Sequence, residues 1–189
     1  ASKFRPIEER FNVGIVYGHR SFIHPDTKMR VSAEVLLIDI TRIDHREINH
    51  FKGRLWEHFG IESIKYENSW DFDQYVKLAP PALAAIESIG AVPHDGHCVI
   101  VAHEFMGMPT ALAAILSENS RYRTVFYAHE TATMRKIVEE LPGHDTVFYN
   151  VLRKARSQDM YLDDVFGSQD HYFKHALISA TKYCDNILA

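Results

Sequence analysis

Four short apolar runs constrain this chain more than anything else in it: FNVGIVYG (11–18), EVLLIDI (34–40), CVIVAHE (98–104) and TVFYAHE (124–130). They are continuous rather than alternating, the pattern of strands covered on both faces. A fifth run, NILA, begins at Asn186. Helical patterns lie between them. Residues 45–60 end in Gly60, a natural C-cap. Residues 71–90 carry Pro80-Pro81, which predicts a break or restart. Residues 109–119 open with Pro109 in a first helical turn. Residues 131–141 are stopped by Pro142-Gly143. Residues 168–184 have Ser168 as N-cap, with Phe173, Ala176, Leu177 and Ala180 at helical spacing.

Alternation of this kind predicts an α/β fold: a three-layer, Rossmann-like domain with a mostly parallel sheet and helices on both faces. At 189 residues the whole chain forms one domain. Ligands in such folds bind beyond the carboxyl ends of the strands. There the sequence places two matching dipeptides, His103-Glu104 and His129-Glu130, each just before a helix. Neither G-x-G-x-x-G nor G-x-x-x-x-G-K-[ST] occurs among the nine scattered glycines. The run at the C-terminus is apolar to its last residue, which points to a fragment of a longer protein.

Other classes recede on inspection. Lys+Arg 21 against Asp+Glu 25 gives a net charge of −4, so nucleic acid is a poor partner. No apolar run reaches the length of a membrane span, and ASKFRPIEERF lacks the apolar core of a signal peptide. Two isolated cysteines, Cys98 and Cys184, fit a reducing compartment, so the chain reads as cytoplasmic. His94 and His97 sit three apart in a turn-like segment, and His171 and His175 sit at i, i+4 on one helical face. The H-E-x-x-H glutamate is missing and no third ligand is near, so the sequence points to no metal.

The motifs together resemble the glycogen and starch synthases, glycosyltransferases of the GT-B architecture. AHEF followed by a helix, then TVFYAHETATM, is similar to that family's two strand-end motifs. LLIDITRIDHREINHFKGRLWEHFGIESI resembles an aspartate-ended strand followed by a K-G-x-L-W helix. DTVFYN resembles the family's FYN turn, and SQDHYFKHALISATKYCDNILA resembles the helix leading to the next strand. The matches run in order over residues 34 to 189.

The resemblance implies transfer of glucose from UDP-glucose or ADP-glucose to an α-glucan with retention and no cofactor. It matches His129 to a histidine touching the donor sugar, and Glu104 to an acid beside the cleft, as the catalytic pair. His103 and Thr133 follow as substrate-binding neighbours. A C-terminal nucleotide-sugar-binding domain would complete the site, leaving the isolated chain inactive. The sequence departs from the family pattern at Phe105 and Met106-Gly107-Met108, and no glycine-rich loop precedes residue 34. Another GT-B transferase (for sucrose, trehalose or a surface glycan) and a non-catalytic α/β module therefore stay open, as does oligomerisation. A strand-end histidine also serves simply to satisfy loop carbonyls. Asp39 and Asp44 read as caps, and Trp56, Phe59, Tyr66 and Trp70 as packing or loop anchors rather than a sugar platform.

Overall fold

The computed structural model describes residues 3–129, 132–140 and 143–189. Its elements are α1 (Arg5–Phe11), β1 (Gly14–Ile23), β2 (Arg30–Asp39), α2 (His45–Phe59), α3 (Trp70–Ser88), β3 (Cys98–His103), α4 (Glu104–Leu116), β4 (Tyr122–Tyr127), α5 (Ala132–Glu140), α6 (His144–Ser157), α7 (Leu162–Phe166), α8 (Phe173–Ser179) and β5 (Asn186–Leu188). Short 3-10 turns cover Ser63–Tyr66 and Ala180–Tyr183. The fold is mixed α/β.

The three later strands form a parallel sheet in the order β3-β4-β5, with His103 level with Tyr127 and Tyr127 level with Leu188. The first two strands do not join it. They pair antiparallel over their full length, Gly14 against Asp39 and Ile23 against Arg30, as a separate hairpin. Continuous apolar runs had placed them in the parallel sheet. Only six residues, 24–29, separate the two strands, which suits a hairpin and is too short for a parallel crossover.

The parallel sheet buries one face. Cys98, Ile100 and Ala102 of β3 and Tyr122, Thr124 and Phe126 of β4 point into the core. They meet α4, whose Met108, Ala111, Leu112 and Ala114 are buried, as expected for a helix apolar all round. Val99 and Val101 on the opposite face are exposed, so among the described residues helices cover one side of the sheet rather than both.

Local chemistry explains the helix ends. Asp44 caps α2 by accepting from the Arg46 amide at 2.8 Å, and Gly60 ends it in the left-handed region with φ 70°. Asp39 accepts from the Thr41 amide at 2.9 Å in the turn after β2. Both aspartates thus serve the backbone.

Four helices differ from expectation. α3 runs unbroken through Pro80 and Pro81. Each proline removes a backbone hydrogen bond, but Phe72, Val76, Ala79 and Leu83 are buried along the helix and hold it together across the gap. α4 starts five residues before Pro109, directly at the end of β3. Ser168 does not cap α8. Its hydroxyl accepts from the Asp170 amide at 3.2 Å in the preceding turn, and the helix opens at Phe173. His171 therefore lies outside the helix that carries His175. The FYN segment, Phe148 to Asn150, is part of α6 rather than a turn. Thr131, Leu141 and Pro142, expected at the ends of α5, lie outside the described residues.

Among the described residues no helix is long and apolar enough to cross a membrane. Cys98 is buried, Cys184 is half-buried, and both are free thiols.

Candidate functional site

The passage from β3 into α4 occurs within one residue. Glu104 takes φ +54°, a left-handed conformation that costs a non-glycine residue roughly 1–3 kcal/mol. The reversal brings the first turn of α4 back against the strand. Gly107 makes this approach feasible: a Cβ there would sit 2.7 Å from the Cα of Ala102. Gly107 and Met108 thus have packing reasons of their own, with Met108 fully buried and Met106 exposed.

The same reversal tucks the Glu104 side chain inward, where the residue is 8% exposed. Its Oε1 accepts a hydrogen bond from the backbone amide of His129, just beyond β4. The carboxylate also sits in the first turn of α4, where negative charge is favoured by the helix dipole. One buried acid thereby ties the ends of two adjacent strands together.

Above it, the two histidines meet. Nδ1 of His103 lies 2.8 Å from Nε2 of His129, and the rings are nearly parallel, at 17°. A bond between two ring nitrogens needs one donor and one acceptor, so at least one imidazole is neutral while it holds. Among the described residues, neither Nε2 of His103 nor Nδ1 of His129 has a hydrogen-bond partner. Tyr127 completes the cluster, its ring centroid 4.2 Å from that of His129 and 5.3 Å from that of His103. Register alone places it there, because Tyr127 is the β4 partner of His103. The sequence reading passed it over, although aligning the two strand ends would have found it.

Next to this cluster a cleft of about 560 Å³ opens between the start of α4, α5 and the start of α8. Glu104 belongs to both cluster and cleft; the histidines do not line the cleft. Phe105, Arg135, Lys136, Tyr172 and Lys174 form its walls. Arg135 pairs with Glu139 at 2.6 Å, and Lys136 with Glu140 at 3.1 Å and Gln169 at 3.3 Å. Lys174 lies 4.6 Å from the centre of the Phe105 ring and meets no carboxylate among the described residues. This cation is available to an anionic ligand, held in place by aromatic neighbours.

The structure brings together His103, Glu104 and His129. Thr133 stands apart: it is buried on α5, with its hydroxyl 3.1 Å from Nδ1 of His175, whose Nε2 is 3.2 Å from the Ser179 hydroxyl. It joins α5 to α8 and so shapes the cleft wall. Glu130 lies outside the described residues. Neither a protein-family model nor a curated protein matches the chain.

Proposed function

We propose that the chain is the first, Rossmann-like half of a retaining GT-B glycosyltransferase of glycogen or starch synthase type. It would move glucose from UDP-glucose or ADP-glucose to an α-glucan in the cytoplasm. The observation that carries the proposal is the convergence of His103, Glu104 and His129 at the carboxyl edge of a parallel sheet, where α/β folds take ligands. The ordered family-like motifs over residues 34 to 189 support it.

In the reaction, the bond from the anomeric carbon to the diphosphate oxygen breaks and its electron pair leaves with the phosphate. An acceptor hydroxyl bonds to that carbon on the same face, and its proton passes to the departing phosphate. Positive charge develops on the sugar and negative charge on the diphosphate. His129 would hold a sugar hydroxyl through Nδ1, with its ring fixed by His103 and its backbone fixed by Glu104. Such preorganisation acts on the transition state because no group must reorient as charge develops. Lys174 and Arg135 line the cleft on the side suited to phosphate charge. Thr133 contributes by holding α5 against α8.

The proposal has two structural corollaries. A second Rossmann-like domain closes over the cleft and supplies the nucleotide contacts. A further helical layer covers Val99 and Val101, completing a three-layer domain.

The test is incorporation of glucose from UDP-glucose or ADP-glucose into glycogen by a polypeptide carrying both domains, alongside residues 1–189 alone. Incorporation by the first and not the second supports the proposal. No incorporation from either donor, with both domains folded, removes the α-glucan synthase. In the active polypeptide, His129→Ala is expected to lower kcat about a hundredfold with little change in donor KM. An unchanged kcat takes His129 out of the site.

A further inference from the structure

Neighbours along a strand alternate sides and cross-strand partners share one, so the register of the β1–β2 hairpin sorts its residues onto two faces. On the inner face Ile15 and Ile38 rest against the core, and Tyr17 meets Phe4 edge to ring. Farther out this face turns polar: His19, Ser21, Arg30, Ser32 and Glu34 are exposed, with Ile23 at the tip the exception. The outer face carries Val16, Phe22, Val31, Val35 and Leu37 and makes no such change along its length. Val16, Phe22 and Leu37 are exposed there. Antiparallel strands with one solvated face alternate apolar and polar residues, whereas these are apolar on both faces, as in strands covered on both sides. The outer face thus has the composition of a buried surface and no cover among the described residues.

Gly18 lies midway along that face. A glycine inside a strand weakens it and often marks the close approach of another surface. Within the chain none approaches: apart from its own neighbours in sequence, nothing stands within 4 Å of where a Cβ would be, and the residue takes no left-handed conformation. The charges of the outer face supply an independent observation. There are two, Arg20 level with Ala33 and Asp39 level with Gly14, one of each sign and about 20 Å apart at the rise of a strand. Arg20 has no carboxylate partner among the described residues. Asp39 accepts from the Thr41 amide and hydroxyl through Oδ1 alone, and its Oδ2 has no partner among the described residues.

We propose that the outer face packs on the same face of a second copy, related by a two-fold axis that crosses the strands level with Tyr17. That axis turns the second hairpin end for end and lays β1 over β1 and β2 over β2. By the register, Val16 of each copy then stands over Gly18 of the other, and Val35 over Leu37. Arg20 stands over Gly14, whose missing side chain leaves its guanidinium room to reach Asp39 on the adjoining strand. The contact is self-complementary, as a two-fold interface requires, and forms the Arg20–Asp39 pair twice. A two-stranded face about 10 Å wide and about 30 Å long buries on the order of 700 Å² over both copies, below what stable interfaces bury. The dimer is therefore weak, with Kd on the order of 0.1–1 mM. The inference stands on the hairpin and does not rest on the proposed transferase activity.

Sedimentation equilibrium of the chain, from about 0.02 to about 2 mM, brackets that range. A rise of the average mass from monomer toward dimer is expected. Leu37→Lys, at an exposed position, should abolish the rise with the circular dichroism spectrum retained. Arg20→Glu should weaken association about tenfold, because symmetry removes two ion pairs at once. In a mixture of isotope-labelled and unlabelled chain, nuclear Overhauser effects should join the Val16 methyls of one copy to the Gly18 α-protons of the other. A monomer at every concentration overturns the proposal. A dimer that survives Leu37→Lys also overturns it, since the contact then lies elsewhere. Protection of the outward-pointing strand-edge amides without the Val16–Gly18 effects overturns it in favour of edge-to-edge strand pairing. A polypeptide carrying both domains that stays monomeric while residues 1–189 dimerise overturns it in favour of cover by the rest of the chain.

Discussion

The β1–β2 hairpin and the β3-β4-β5 sheet begin from similar apolar runs and end as opposites. In the hairpin, Val16 and Leu37 face each other across the ladder at 65% and 62% exposure. Its order comes from neighbours in sequence: a short turn, full-length backbone pairing, and contacts such as the Tyr17 hydroxyl donating to Glu34 at 2.7 Å. The parallel sheet joins strands far apart in the chain and depends on α4 beneath it. The candidate site sits on the unit built from distant pieces, because only there do two strand ends point the same way and bring two loops together. Local pairing makes a ribbon; crossover pairing makes an edge on which residues 103 and 129 can meet.

The contrast can be broken most forcefully by truncating a large apolar side chain in each unit. Phe126→Ala, beneath the parallel sheet, is expected to cost about 3–5 kcal/mol of unfolding free energy by chemical denaturation, whereas Leu37→Ala in the hairpin should stay near 0.5 kcal/mol. Equal losses would mean that the hairpin is as much part of the core as the sheet.

A smaller effect is expected at the strand-to-helix reversal. Gly107→Ala puts a methyl against the Ala102 backbone and should cost about 1–3 kcal/mol. Because the same turn positions Glu104, the imidazole resonances of His103 and His129 should shift while hairpin amides stay in place. Unmoved histidine signals would show that the close approach does not govern the site.

The smallest change concerns the last strand of the sheet. The Thr124 amide and hydroxyl donate to Oδ2 of Asp185 at 2.7 Å and 3.0 Å, and hold that carboxyl below the ordinary aspartate range. A carboxylate whose folded pKa is lowered contributes stability above its unfolded value, about 3.9, and loses it as pH falls through the lowered one. The stability gap between the natural chain and Asp185→Asn should therefore be widest near neutral pH and close in acid. Amide exchange at Ile187 and Leu188 should report it, while the hairpin amides should not respond. A gap independent of pH would assign the effect to shape rather than charge.

Much of this was legible in sequence where the determinant is local. Asp44 and Gly60 bound α2 as a cap residue and a C-terminal glycine should, and the later apolar runs became parallel strands. What escaped depends on tertiary partners. Pro80-Pro81 reads as a break until the buried neighbours along α3 are known. Pro109 reads as a helix start until Gly107 reveals how closely the strand and helix approach. The hairpin was hidden because a continuous apolar run states a strand's composition and leaves its pairing direction open. Trp56 and Trp70 read in sequence as packing residues or loop anchors, and helical phase and chain position leave both exposed. At the site, residue identity pointed to His103, Glu104 and His129. Register was needed to add Tyr127, and tertiary contact to show Thr133 at the α5–α8 junction.

Glu104 also sets stability and chemistry against each other at a single position. Glycine is the residue the left-handed backbone there favours, and either glutamate codon becomes a glycine codon by one base change. Selection for a sturdier fold alone would find that change easily, relaxing the turn while removing the carboxylate that anchors His129. At residue 104 the backbone conformation and the side-chain contact thus favour different residues, and the contact from the carboxylate to the His129 amide is what a glycine would lose.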